Sequence, residues 1–147
     1  MLAVCGGVLV VDQATKAIIN TALERGEEIS LVLGIELVSV RNSGIAFGLL
    51  DNGGALLLAV TAVTLAVLVG WFATQPLRPG LWLAIGLLTG GAIGNLADRL
   101  RAGEVTDFLD LPLWPAFNLA DVAITAGIVV LALITLARED HEPRPDP

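Results

Sequence analysis

The run from Asn52 to Leu77 carries no charged side chain, and neither does the run from Val122 to Ala137. A helix of that length would present an apolar surface on every side, which water penalises and lipid does not. A hydrocarbon core of about 30 Å is crossed by about twenty helical residues whose backbone groups satisfy one another. Of the 147 residues, 55% are hydrophobic and 16% charged, against roughly 25% charged in an ordinary soluble domain. An integral membrane protein of one small domain (1–138) is predicted, and a soluble enzyme is excluded.

Four spans emerge, at about 1–23, 53–73, 80–98 and 118–138, with Asp12 and Lys16 interrupting the first. Pro76 and Pro79 punctuate the turn between the second and third. An even number of spans puts both termini on one side. Between the first two spans, residues 28–50 are rich in β-branched side chains broken by Gly34, which predicts a small extramembrane sheet. The connection from Arg99 to Phe117 lies on that same side. The fold class is therefore a bundle of four transmembrane helices with a small extramembrane β-sheet, followed by an acidic, solvated tail at 139–147. Gly90 and Gly94, four apart, would let another helix approach the third span closely.

Arginines do not orient the chain: Arg25, Arg41, Arg99 and Arg101 fall on the sheet side, Arg78, Arg138 and Arg144 on the other. The net charge of −7 owes much to the tail, and no basic patch exists for nucleic acid. Cys5 is the single cysteine, so no internal disulfide can form; it reads as a helix core residue. His141 stands alone in the tail, leaving no cluster for zinc. Neither a metal nor a cofactor is expected.

The chemistry must then lie in carboxylates. Two Asn-x-x-Asp units, Asn95 to Asp98 and Asn118 to Asp121, flank Asp107. An acid at the mouth of a membrane helix costs a few kcal/mol unless solvated, paired or protonated, so it signals function. The spacing puts amide and carboxylate on one helix face, or makes Asn a helix cap. Asn118 fits a cap, with Asp121 in a first turn whose dipole favours an anion. Asp12 and Lys16 share a face and can pair, a structural salt bridge near the active side. Two carboxylates held close share a proton: one can then activate water while the other polarises a carbonyl. Spacing does not say which two of Asp98, Asp107 and Asp121 act. Ser39 and Ser43 lack a triad partner.

The chain resembles the lipoprotein signal peptidases, or signal peptidase II, in five motifs covering nearly its whole length. They are Val11-Asp12-Gln13-Ala14-Thr15-Lys16, Arg41-Asn42-Ser43-Gly44-Ile45-Ala46-Phe47-Gly48, the run from Gly90 through Asn95 and Asp98 to Arg99, Val105-Thr106-Asp107-Phe108, and Phe117-Asn118-Leu119-Ala120-Asp121. The resemblance implies an aspartic endopeptidase with Asp107 and Asp121 as its dyad. Asp12, Lys16, Asn42, Gly44, Asn95, Asp98, Arg99 and Asn118 match positions that hold the site or contact substrate and the inhibitor globomycin. The implied substrate is a bacterial prolipoprotein bearing a diacylglyceryl-cysteine, cut on the N-terminal side of that cysteine. Also implied are contact with membrane lipids, residence in the bacterial inner membrane, cytoplasmic termini, and an outer-leaflet site beneath a periplasmic β-cradle, here residues 28–50.

Two departures stand out. No basic segment precedes the first span, and the stretch from Leu109 to Pro115 is compact, with an extra acid, Asp110, read as solvated. Trp114 and Phe117, beside the dyad, suit either a substrate flank or ordinary interfacial aromatics. Two other classes use intramembrane acids. A carboxylate-gated transporter is opposed by the absence of a repeat between halves. A Mg²⁺-dependent lipid-head-group transferase is opposed by acids spaced nine and fourteen apart.

Overall fold

Residues 1–43, 53–74 and 79–139 are described in the computed structural model. Gly44, the last part of the expected cradle and residues 140–147 of the tail lie outside the described residues. The elements run α1 (Leu2–Ala22), β1 (Glu28–Ser30), β2 (Glu36–Asn42), α2 (Gly53–Ala73), α3 (Leu81–Ala102), β3 (Val105–Leu111), β4 (Trp114–Phe117) and α4 (Leu119–Glu139). Among the described residues, α1, α3 and the stretch Leu119–Ala137 of α4 are long and apolar enough to cross a membrane, and α2 adds the apolar stretch Ala59–Ala73.

Glycine sets how tightly the helices meet. α3 packs against α1, α2 and α4. Cβ atoms at Gly86 and Gly90 would lie 2.8 Å from Val4 and Val8 of α1, and one at Gly94 would lie 2.7 Å from Asp12. On the neighbouring face, a Cβ at Gly91 would meet the carbonyl oxygen of Ala120 at 2.4 Å. The expected close approach at Gly90 and Gly94 is thus made by α1, and Gly91 lets the first turn of α4 in as well. Cys5 sits half-buried on α1 rather than in the core.

The third span extends past the expected boundary at 98. Asp98, Arg99 and Arg101 are all helical, with the arginines in the last turn where the dipole favours cations. Gly103, left-handed at φ 75°, ends the helix and donates its N–H to the Arg99 carbonyl.

The sheet is larger than the sequence predicts. It has four antiparallel strands in the order β1-β2-β3-β4, and half of them come from the connection before α4. Pro115 is tolerated because β4 is an edge strand. β2 and β3 pair with Val40 opposite Asp107 and Asn42 opposite Val105, after a bulge between Leu37 and Val40. Phe108 seals the sheet onto the bundle with Ile19 of α1 and Leu23 just beyond it. α1 and α3 lead into the sheet and α4 leaves it, so the motif residues gather at one end.

Candidate active site

Asn118 sits immediately before α4 and closes a reciprocal cap. Its Oδ1 accepts the Asp121 backbone N–H at 3.1 Å, while Asp121 Oδ2 accepts the Asn118 backbone N–H at 3.2 Å. The expected cap is therefore present, and it holds Asp121 by its carboxylate as well. The free end of the same side chain does more: Asn118 Nδ2 donates to Asp107 Oδ1 at 2.6 Å and to Asn95 Oδ1 at 3.2 Å. From α3, Asn95 Nδ2 donates to Asp121 Oδ1 at 2.8 Å. Asp107 and Asp121 are thus joined through amides, one acid from a strand and the other from a helix.

The second oxygen of Asp107 accepts from Asn42 Nδ2 at 2.8 Å. That contact follows from register, since Val40 opposes Asp107 and Asn42 lies two residues further on the same face. Asp107 is 2% exposed. Burial pushes its carboxyl above the usual carboxylate range; the Asn42 and Asn118 donors pull it down, repulsion from Asp121 adds to the rise, and Lys16 opposes it. Asp121 is half-buried and opens onto an apolar groove of about 820 Å³ against β4 and α4.

Behind Asp107 and Asp121 stands Lys16, almost fully buried. Its ammonium meets Asp12 Oδ2 at 2.9 Å, Asp98 Oδ2 at 2.8 Å and Asn95 Oδ1 at 3.0 Å, so its three protons have three acceptors. The expected Asp12–Lys16 pair is real, and it is one side of a larger cluster. Asp12 Oδ1 also accepts the Ala120 backbone N–H at 2.9 Å, capping a helix other than its own. Asp98 turns toward Lys16 and Gln13. Arg99 reaches the Asn95 carbonyl at 3.5 Å, and its buried Nε lacks a hydrogen-bond acceptor among the described residues.

Gln13 stands in the sequence only as part of a motif, yet it donates to Asp98 Oδ1 at 2.8 Å and Asp12 Oδ2 at 3.2 Å and accepts from Arg101 at 2.6 Å. Thr106, hydrogen-bonded to Arg41 and within 3.4 Å of Asn20, braces the strand next to Asp107. A lone glutamine or threonine gives no sequence signal of such roles. Asp110 is half-buried, opposite Glu36 in the register. Among the described residues no group of three or more His, Cys, Asp or Glu could hold a metal ion.

Among the described residues, three helices long and apolar enough to cross a membrane, with a four-stranded sheet and an amide-linked acid pair at one end, define the class as a membrane-protein fold. Residues 4–137 match the family described as Signal peptidase (SPase) II. The chain belongs to that family; it is a peptidase, and membership supports removal of signal peptides from prolipoproteins. The lipoprotein signal peptidase of Pelotomaculum thermopropionicum is 49% identical, covering 90% of this chain and 89% of its own. That of Moorella thermoacetica is 42% identical, covering 92% and 94%. A solved bacterial membrane enzyme, determined by the in meso method at 1.9 Å resolution, superposes with a TM-score of 0.86 at 32% identity, covering 91% of this chain and 90% of its own.

Proposed function

We propose that this chain hydrolyses diacylglyceryl-modified prolipoproteins on the N-terminal side of the lipidated cysteine, with Asp107 and Asp121 activating one water. The observation that carries the reading is Asn118, which binds Asp107 by its side-chain amide and Asp121 by its cap. In this reading Asp107, the desolvated member, holds the proton. Asp121 takes a proton from water as the hydroxyl bonds to the carbonyl carbon, and Asp107 gives its proton to the carbonyl oxygen. Return of a proton to the amide nitrogen lets the C–N bond break. Arg99 is the cation available to peptide carbonyls, and Asn42, Asn95, Asp12, Lys16 and Asp98 hold the frame. Gly44 belongs to the substrate-contacting set on the resemblance alone.

The groove from Trp114 and Phe117 past Asp121 to Val129 suits a lipid-bearing substrate, whose acyl chains remain in the bilayer while the scissile bond reaches the helix mouths. We place α2 as the fourth span, with the termini in the cytoplasm and the sheet end in the outer leaflet of the inner membrane. Globomycin is the expected inhibitor.

Reconstituted protein given a lipidated prolipoprotein should release a mature product beginning at the lipidated cysteine, in EDTA as well as without it, and globomycin should block it. Equal cleavage of the unlipidated precursor, or loss of cleavage in EDTA, would overturn the reading. Asn42→Ala offers a finer check. It removes a donor that favours ionised Asp107, so the proton stays bound to higher pH. The alkaline limb of the kcat profile, which belongs to the pair, should move upward. An unmoved limb would remove Asn42 from the mechanism.

A further inference from the structure

The sheet ends in two turns with the same anomaly. Between β1 and β2, Ile35 N–H donates to the Val32 carbonyl at 3.0 Å, and the central residues Leu33 (φ 58°) and Gly34 (φ 75°) are both left-handed, as in a type I′ turn. Between β3 and β4, Leu111 pairs with Trp114 around Pro112 and the left-handed Leu113 (φ 66°), the pattern of a type II turn. Each turn puts leucine where the backbone favours glycine, asparagine or aspartate. Neither side chain recovers the strain by packing: Leu33 is 93% exposed and Leu113 104%.

The turns lie side by side, since a Cβ on Gly34 would come within 3.0 Å of Pro112 Cγ. Residues 31–35 and 111–117 are uncharged, and the acids Glu36 and Asp110, opposite one another, stand where the turns begin. The apolar surface does not stop at the turns. Leu111, Trp114 and Phe117 line one groove with Val122 and Val129 on the apolar face of α4. Turn edge and membrane-crossing helix therefore share a continuous apolar surface, with a tryptophan of the kind that favours the membrane interface.

We propose that the Leu33 and Leu113 turns form a two-point membrane anchor, immersed in the bilayer leaflet on the sheet side. Lipid gives the exposed leucines the burial that the chain does not, and the anchor fixes the tilt of β3, which carries Asp107 four residues before Leu111. The sheet is in this view a platform tied to the membrane at its far edge as well as through the helices.

Spin labels test this without substrate, so its outcome is independent of the cleavage reaction. In a Cys5→Ala background, single labels at Leu33→Cys, Leu113→Cys and, as a water-facing comparator, Glu28→Cys are placed in phosphatidylethanolamine/phosphatidylglycerol nanodiscs. Collision with oxygen relative to a water-soluble nickel chelate should be several-fold higher at 33 and 113 than at 28. Nickel access at either turn equal to that at 28 overturns the anchor. Shielding from both reagents, the signature of a protein contact, overturns it as well.

Discussion

Asp107→Asn and Asp121→Asn, made separately, should each slow cleavage by at least about a thousandfold, the loss expected when a positioned acid or base is removed from a step that depends on both. Neither change is sterically large, but neither is silent. Both oxygens of Asp107 accept from amide NH₂ groups, those of Asn42 and Asn118, and both oxygens of Asp121 accept from N–H donors on Asn95 and Asn118. An asparagine at either place turns an NH₂ toward a donor, a mismatch costing about 1–3 kcal/mol. A modest fall in melting temperature is therefore expected, and the rate must be normalised to the folded fraction. A gel-shift assay on a lipidated precursor reads the rate. Activity above about one percent in either variant, a loss smaller than the roughly hundredfold at the low end for an acid–base residue, would show that the dyad is assigned wrongly. Asp98→Asn serves as the contrast. Its carboxylate is engaged by Lys16 and Gln13, so the variant should lose stability while keeping measurable turnover per folded molecule.

Much of this architecture can be read from the chain because lipid imposes a simple rule. Uncharged runs of helix length mark α2, α3 and α4, and α1 is legible from its apolar length despite Asp12 and Lys16 within it. The cap at Asn118 is legible from an Asn-x-x-Asp spacing before an apolar run, and the Asp12–Lys16 pair from a four-residue interval. The β3–β4 hairpin is not legible: two acids and two prolines within nine residues, Asp107 to Pro115, disguise a hairpin whose other partner, β2, lies far away in sequence. Nor does spacing pair Asn42 with Asp107, because that contact exists only once β2 and β3 take their register. The same holds for the roles of the two Asn-x-x-Asp units. Within α3 the unit faces α1, and the glycines that admit α1 bring Lys16 between Asn95 and Asp98. Before α4 it is a cap that faces β3. One spacing thus yields a supporting cluster in one place and a site residue in the other, and only the neighbouring element decides which.

Lys16→Met should cost more stability than any other single change in the supporting cluster. The ammonium is 3% exposed and faces two carboxylates, Asp12 at 0% and Asp98 at 13% exposure, with one amide oxygen completing its shell. Removing one partner of a buried ion cluster leaves uncompensated charge and costs about 3–5 kcal/mol. Low yield and a large drop in melting temperature are the expected signs. Asp12→Asn is the milder change. Lys16 retains Asp98, and the asparagine oxygen can still accept the Ala120 N–H that anchors the first turn of α4. Because Asp12 and Lys16 touch, the double variant should be less destabilised than the two single losses summed, as Met at 16 no longer faces a charge at 12. The catalytic consequence is indirect. Ala120 immediately precedes Asp121, and Asn95, which Lys16 orients, donates to Asp121. A rate per folded molecule that falls several-fold, with thermal stability falling far more, is the signature of a frame. If Lys16→Met instead melts like the parent protein yet fails to cleave, the ammonium belongs to the chemistry, and the proton inventory of the site must include it.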